Sequence, residues 1–353
     1  MLTPDVLGDP VALTRALVDI ESVSGHEKLI TDEVEAALRT APHLVVERLG
    51  NVVRARTELG RPTRAILAGH LDTVPLHSNF PSTVEGDVIW GCGTSDMKSG
   101  CALELHLAVS VTEPTVDVSY LFYDCEEIEA ERNGLRIVGE SNPDWLAADV
   151  AVLLEPTHGL VEAGCQGTMR AVVRTEGQRA HAARSWNGVN AIHRAAEVLR
   201  RLDAYQARRV VIDGCEYREG LNAVAIRGGV AGNVIPDECE IEVNYRFAPD
   251  RSEADARAHL AEVFDGFGVA ITDSAPGALP GLAAPAVQRF LELVGTPPLG
   301  KLGWTDVSRF AALGIPALNF GPGDPNLAHK QDERVEIPKI LAGADALRRW
   351  LTA

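Results

Sequence analysis

Four acidic or imidazole clusters follow short apolar runs or a glycine-rich loop, in an order that suits metal chemistry. The first is Ala65-Ile-Leu-Ala-Gly-His70-Leu-Asp72 and the second is Gly91-Cys-Gly-Thr-Ser-Asp96-Met-Lys-Ser-Gly100. The third is Val118-Ser-Tyr-Leu-Phe-Tyr-Asp124-Cys-Glu126-Glu127 and the fourth is Val150-Ala-Val-Leu-Leu-Glu155-Pro156. The three apolar runs read as buried parallel strands, being short, β-branched or aromatic, and bounded by turn residues. Ligands of open α/β sheets bind beyond the carboxyl ends of the strands. Chain order therefore sets His70, Asp72, Glu126, Glu127 and Glu155 on one rim. Carboxylates and imidazoles crowded on one rim repel unless a cation joins them, so the rim reads as a metal site for two ions.

Each piece has a plainer alternative when taken alone. His70 and Asp72 leave an extended segment on the same face, so Asp72 could orient a metal-bound His70 or make a simple strand-end hydrogen bond. The Gly-x-Gly before Asp96 could cradle a phosphate, but an acidic group there favours a cation. Glu126 and Glu127 point to opposite sides of an extended chain. Both serve one site only if the strand has ended and the backbone turns, leaving one as ligand and the other as general base. The alternative is an exposed acidic loop, since Asp124, Glu126, Glu127, Glu129 and Glu131 form a charge run. Glu155 closes the cleanest apolar run, where a surface carboxylate is hard to explain. His329 is a lone loop histidine, and its case rests on the chain returning to the rim after Ile315-Pro-Ala-Leu-Asn-Phe320.

The elements that must position these residues divide into two kinds. Residues 9–41 read as helical with a break at Val23-Ser-Gly-His26, and 45–57 as an edge segment turning at Gly50-Asn51. A buried helix starts at Ser99, and strands alternate with helices to about Glu155, which implies a mostly parallel, helix-covered sheet of the α/β class. The character then changes. Asn222–Val230 and Glu238–Phe247 alternate with period two, and helical patterns cover 190–202 and 252–264, making an inserted α+β unit. The expected segments are 1–167, an insertion over 168–274, and a return to the first sheet over 275–353.

At 353 residues the chain suits two domains, and its 46% hydrophobic and 24% charged composition is that of a globular protein. A formal net charge of −17 argues against nucleic acid as a partner. No apolar run approaches the ~20 residues of a membrane span, and no basic-then-apolar leader opens the chain, so the expected location is the cytoplasm. Only five of the 33 basic residues are lysine, as coding from a GC-rich genome would give. None of the six cysteines forms a C-x-x-C pair, so reduced, structural thiols are expected.

In this order, His70-Leu-Asp72, Asp96, Glu126-Glu127, Glu155 and a late His329 resemble the co-catalytic dizinc aminoacylase and carboxypeptidase family. The resemblance spans nearly the whole chain. It implies a zinc-peptidase-like catalytic domain with an inserted dimerisation (lid) domain. It also implies Asp96 bridging two ions, His70 and Glu155 on one, Glu127 and His329 on the other, Glu126 as base and Asp72 behind His70. Zn²⁺ is the expected metal, with Co²⁺ or Mn²⁺ admitted by an imidazole and carboxylate donor set. His181, in Gln178-Arg-Ala-His181, is implied to act from the other subunit of a homodimer as the oxyanion donor. Substrate contacts are implied for Arg246, Asn233, Thr305 and Gly323. Tyr123-Asp-Cys-Glu-Glu127, Gly232-Asn-Val-Ile-Pro236, Asn244-Tyr-Arg246-Phe and Gly303-Trp-Thr-Asp-Val-Ser-Arg-Phe310 resemble the branch that hydrolyses N-succinyl-LL-2,6-diaminopimelate, in the shorter form of GC-rich Gram-positive bacteria. The longer form has an arginine pair where this chain has Gln166-Gly167, and Gly-Gly-Thr-Ser-Asp where it has Gly303-Trp-Thr-Asp306. The resemblance implies metal-dependent hydrolysis of N-succinyl-LL-2,6-diaminopimelate to succinate and LL-2,6-diaminopimelate. The competing readings are an acetylornithine deacetylase or another deacylase or dipeptidase on the same metal site, and a non-catalytic, metal-stabilised scaffold.

Overall fold

A computed structural model describes residues 2–353. The chain forms two compact units. The first comprises residues up to Ala163 together with Pro280–Leu299 and Arg309–Ala353; the second comprises Gly164–Leu279 and Gly300–Ser308.

In the first unit, the strands β1 (Val45–Leu49), β2 (Val52–Arg56), β3 (Arg64–His70), β4 (Asp117–Tyr123) and β5 (Val150–Leu153) share one sheet. Their order is β1-β2-β4-β3-β5, followed by Ala317–Asn319 and Glu162–Ala163. The apolar runs of the sequence are the parallel centre of this sheet. β3 pairs in parallel with β4, His70 opposite Tyr123, and with β5, Ala68 opposite Leu153. Ala317–Asn319 continues in parallel beside β5, as the expected return to the first sheet requires. All four strands therefore end on one edge. The ladder runs slightly past them, through Leu71 N to Tyr123 O (2.8 Å), Leu154 N to Ala68 O (2.9 Å) and Phe320 N to Leu153 O (2.9 Å).

The helix Lys98–Ser110 is buried along its whole length up to Ala108, with Lys98, Glu104 and His106 among its buried side chains. A Cβ on Gly100 would lie 2.1 Å from the Leu154 carbonyl oxygen. Glycine here lets the helix press on the segment that carries Glu155.

In the second unit, β6 (Gly167–Glu176), β7 (Gly220–Gly228), β8 (Glu238–Phe247) and β9 (Gly268–Ala275) form an antiparallel sheet in the order β7-β8-β6-β9. Buried Met169, Ala171 and Val173 alternate along β6, and Ile241, Val243, Tyr245 and Phe247 along β8; helices Ala191–Asp203 and Glu253–Val263 close that face. Ser252 and Asp255 form a capping box at the start of the second helix. Compared with the expected 168–274, this unit begins earlier, ends later and takes in Gly300–Ser308. Hydrogen bonds explain the addition: Gln166 N donates to Lys301 O (3.2 Å), and Ser308 Oγ to Pro276 O (2.7 Å). Polar side chains of Gly300–Ser308 conceal this docking from periodicity.

Among the described residues no helix is long and apolar enough to cross a membrane. The six cysteines are buried and unpaired with one another.

Candidate metal centre

The rim of the first sheet brings His70, Asp96 and Glu127 together, with one ligand atom from each lying within 4.8 Å of the others. Three separate devices assemble them. His70 is the last residue of β3 and is 1% exposed. Its Nδ1 lies 3.0 Å from the main-chain oxygen of Asp72 and 3.4 Å from Asp72 Oδ1. Both partners only accept when the aspartate is ionised, so Nδ1 carries a proton, and loss of the other proton would turn the Nε2 lone pair to the site.

The second device is the turn after β4. Cys125 takes a left-handed backbone conformation, with φ of 56°, so the chain stops alternating directly after the strand. The amides of Glu126 and Glu127 both donate to Asp72, to Oδ1 at 3.0 Å and Oδ2 at 3.1 Å. The backbone is therefore turned where the two adjacent glutamates leave it, the condition under which both could face one centre. Ser24 Oγ donates to the same Asp72 Oδ2 at 2.7 Å. Asp72, expected behind His70, thus also organises the glutamate turn.

The third device is the glycine-rich loop. Asp96 Oδ1 faces His70 Nε2 at 3.2 Å, while its Oδ2 faces His329 Nε2 at 3.6 Å. One carboxylate addresses two imidazoles, one with each oxygen. His329 reaches the rim from the loop after Ala317–Asn319 with φ of 61°, and its Nε2 lies 2.9 Å from Glu127 Oε1. Glu155 lies two residues past β5; carrying the Ala68–Leu153 register forward sets it level with His70. It is buried, but stands outside the tightest trio. Gly323 belongs to the same rim: a Cβ there would lie 2.2 Å from the Ser95 carbonyl oxygen.

The electrostatics are those of a cation site. Burial opposes charge on His70, but hydrogen bonds to Asp72 and Asp96 outweigh it and hold the imidazolium well above its ordinary range. Hydrogen bonds to Asp96 and then Glu127 raise His329 to about 10. Burial pushes Asp96 up, yet the bonds from His329 and His70 hold its carboxyl well below the usual range. Glu127 is raised, chiefly by burial, with His329 pulling the other way. The rim thus holds protons firmly on its imidazoles, and a divalent ion would replace those protons. Two imidazoles and several carboxylates, without thiolate, fit such an ion.

The remaining expected residues lie in the second unit. His181 is exposed, pairs with Val234, and its Nδ1 accepts from Ala183 N at 3.0 Å. Asn233 is its neighbour, with Ala182 N donating to Asn233 O at 2.8 Å. Arg246 stands on β8; burial and the nearby Arg170 lower its pKa, and no carboxylate among the described residues pairs with it. Thr305 is buried in the added segment, its main-chain oxygen accepting from Cys165 Sγ at 3.7 Å.

A family model for peptidase family M20/M25/M40 matches residues 66–353. The chain belongs to this family. M20 relatives agree along the whole length. Over 350 residues, 98% of this chain and 99% of the relative, it is 59% identical to a Mycobacterium tuberculosis protein provisionally named succinyl-diaminopimelate desuccinylase DapE. It is 49% identical to the succinyl-diaminopimelate desuccinylase of Corynebacterium glutamicum over 360 residues, covering 99% of this chain and 97% of that one. Among solved M20-like folds, a Staphylococcus aureus tripeptidase superposes with a TM-score of 0.79 at 21% identity, covering 97% of this chain and 96% of that chain. The Bacillus subtilis YxeP protein, a dinuclear metal-binding peptidase of the M20 family, gives 0.71 at 14%, covering 99% and 98%. These last two likenesses concern the fold.

Sequence reasoning missed two residues that hold the M20 centre together. Ser24 lies in the break at Val23-Ser-Gly-His26, a signal only of a turn. Glu333 is 2% exposed and accepts three amides of the Gly93–Asp96 loop. Burial lifts its carboxyl to about 7, against those hydrogen bonds. Its partners lie about 240 positions earlier in the chain, where no local pattern reaches.

Proposed function

We propose that the chain hydrolyses N-succinyl-LL-2,6-diaminopimelate to succinate and LL-2,6-diaminopimelate. The observation that carries the metal chemistry is Asp96, whose two oxygens face His70 and His329 separately. The substrate follows from the full-length similarity to the Corynebacterium glutamicum desuccinylase. His70, Asp96 and Glu155 would hold one ion, and Asp96, Glu127 and His329 the other, with zinc the favoured metal and cobalt or manganese alternatives. When bound, the pair would supply Lewis acidity at the scissile carbonyl and acidify the attacking water.

The chain's own residues do the rest. Glu126 takes the proton of the attacking water and delivers it to the leaving amine. Asp72 fixes where that base stands, because it holds the Glu126 amide. His181 donates to the developing oxyanion. Its Nδ1 accepts the Ala183 amide, so a neutral ring carries its proton on Nε2, as a donor must. Arg246 binds a substrate carboxylate, and its unpaired guanidinium supports that role. Asn233, Thr305 and Gly323 complete the substrate contacts.

His181 acts in the partner's site of a homodimer formed by the inserted unit. Edge strand β7 supports this: Val224 and Ile226 are 62% and 50% exposed, and Gly228 lies against Ile192 of the adjacent helix. An apolar strand edge of this kind continues into a second copy. The proposed location is the cytoplasm, where this biosynthetic reaction belongs. Turnover of N-succinyl-LL-2,6-diaminopimelate by metal-reconstituted protein, beside N-acetylornithine and dipeptides, tests the assignment. Preference for either comparison substrate would replace desuccinylation with deacetylation or dipeptide hydrolysis.

A further inference from the structure

We infer that Glu333 is a positioning residue that sets the bridging carboxylate of the metal centre, an inference that rests on the two-metal reading above. Its Oε1 accepts the amides of Ser95 (2.8 Å) and Asp96 (3.0 Å), and its Oε2 accepts that of Gly93 (3.0 Å). Its main-chain oxygen accepts the amide of Gly91 at 3.0 Å. Ser95 Oγ then donates to the main-chain oxygen of Arg334 at 2.8 Å. Successive amides converging on one anion form a concave cradle. Here the anion is a side chain of the protein itself. Gly93, with φ of 83°, supplies the left-handed conformation that the cradle needs.

The consequence reaches the metal ligands directly. With its own amide fixed by Glu333, Asp96 has little freedom to rotate its oxygens away from His70 and His329. Glu333 also lies four residues beyond His329 in the same loop, where Glu333 N donates to Lys330 O at 3.2 Å. One short segment thus supplies a ligand to one ion and orients the ligand shared by both. The position of the charge adds a second effect. A buried carboxylate beside Asp96 makes the metal-free centre more negative, at a cost that three amide bonds offset.

A structural role alone and a positioning role differ in what they predict. Glu333→Gln keeps the shape, removes the charge and turns an NH₂ toward the Gly93 amide. We expect the metal-free variant to retain the wild-type circular dichroism and melting behaviour, because repulsion with Asp96 is relieved as a hydrogen bond is lost. Its Co²⁺ affinity, measured by chelator competition, should fall about 10- to 100-fold, as for other residues that hold metal ligands in place. The visible spectrum of the bound Co²⁺ should change as well. Glu333→Asp keeps the charge at shorter reach and should recover part of the affinity. Wild-type affinity and spectrum in Glu333→Gln, with wild-type protein binding two Co²⁺, would overturn this role alone. Failure of both metal-free variants to fold would overturn it too, leaving Glu333 as a stabilising residue. Wild-type protein that binds no Co²⁺ would instead defeat the two-metal reading, and this inference with it.

Discussion

Glu126 and Glu127 share a turn, and the separate tasks proposed for them can be measured. Glu126→Gln should keep full metal content and lose about 10²–10⁴-fold in kcat, the usual worth of a positioned proton carrier. Metal loss with normal activity per bound ion would exchange the two roles. The histidines make a second prediction. A group whose pKa is raised on folding stabilises fully below its unfolded value and loses that contribution as pH rises through the folded value. His329, raised to about 10, and His70, also raised, therefore favour the metal-free fold most below ~6.5 and progressively less toward pH 10. At pH 8 His329 still holds its extra proton, so metal binding must expel it. Calorimetry in buffers of different ionisation enthalpy should show proton release, and a buffer-independent heat would contradict these assignments. His70 and Asp72 were legible in the sequence because strand alternation fixes their common face. The expectation that Glu126 and Glu127 act together was conditional on a turn, and Cys125 supplies a turn there. Ser24 and Glu333 were not legible, because their partners come from remote segments and their own surroundings read as polar loop.

At the scale of elements, the centre depends on how closely the buried helix and the rim loops approach. Gly100→Ala places a methyl against the Leu154 carbonyl, at 2.1 Å before any movement. Overpacking of this kind costs about 1–3 kcal/mol, and the displaced segment carries Glu155. Thermal denaturation should show the loss, and metal titration should show weakened binding. Wild-type values in both would mean that the helix shifts freely. The parallel strands β3, β4 and β5 were evident from unbroken apolar runs, which only strands buried on both faces require. β9 was not: Val269 and Ile271 alternate toward the core, but a bulge between Ile271 and Asp273 breaks the period-two pattern after two repeats. Thr305 belongs to the second unit for a reason equally hidden from periodicity, namely the hydrogen bond from the Gln166 amide to Lys301 and those from the Trp304 and Ser308 side chains to Pro276.

For the whole molecule, the charge of −17 does not by itself hinder a small dicarboxylic substrate, which under the proposed function would meet the local field at Arg246 and at the bound metals. Arg246→Ala should raise KM for the succinyl substrate sharply with little loss of stability, since no carboxylate among the described residues pairs with the side chain; an unchanged KM would remove it from the substrate site. Mixing inactive His181→Ala and Glu126→Gln proteins under subunit exchange should restore activity, because one site of each heterodimer is then intact. No recovery despite demonstrated exchange would confine His181 to its own chain. The central claim, that residues from 70 to 329 build one two-metal centre around Asp96, is tested most directly by anomalous diffraction at the zinc edge from zinc-loaded crystals. Two peaks that share Asp96 at about 2.0–2.2 Å are expected, one beside His70 and Glu155 and the other beside Glu127 and His329. A single peak, or a peak at another cluster such as Glu27, Asp124 and Cys125, would contradict it.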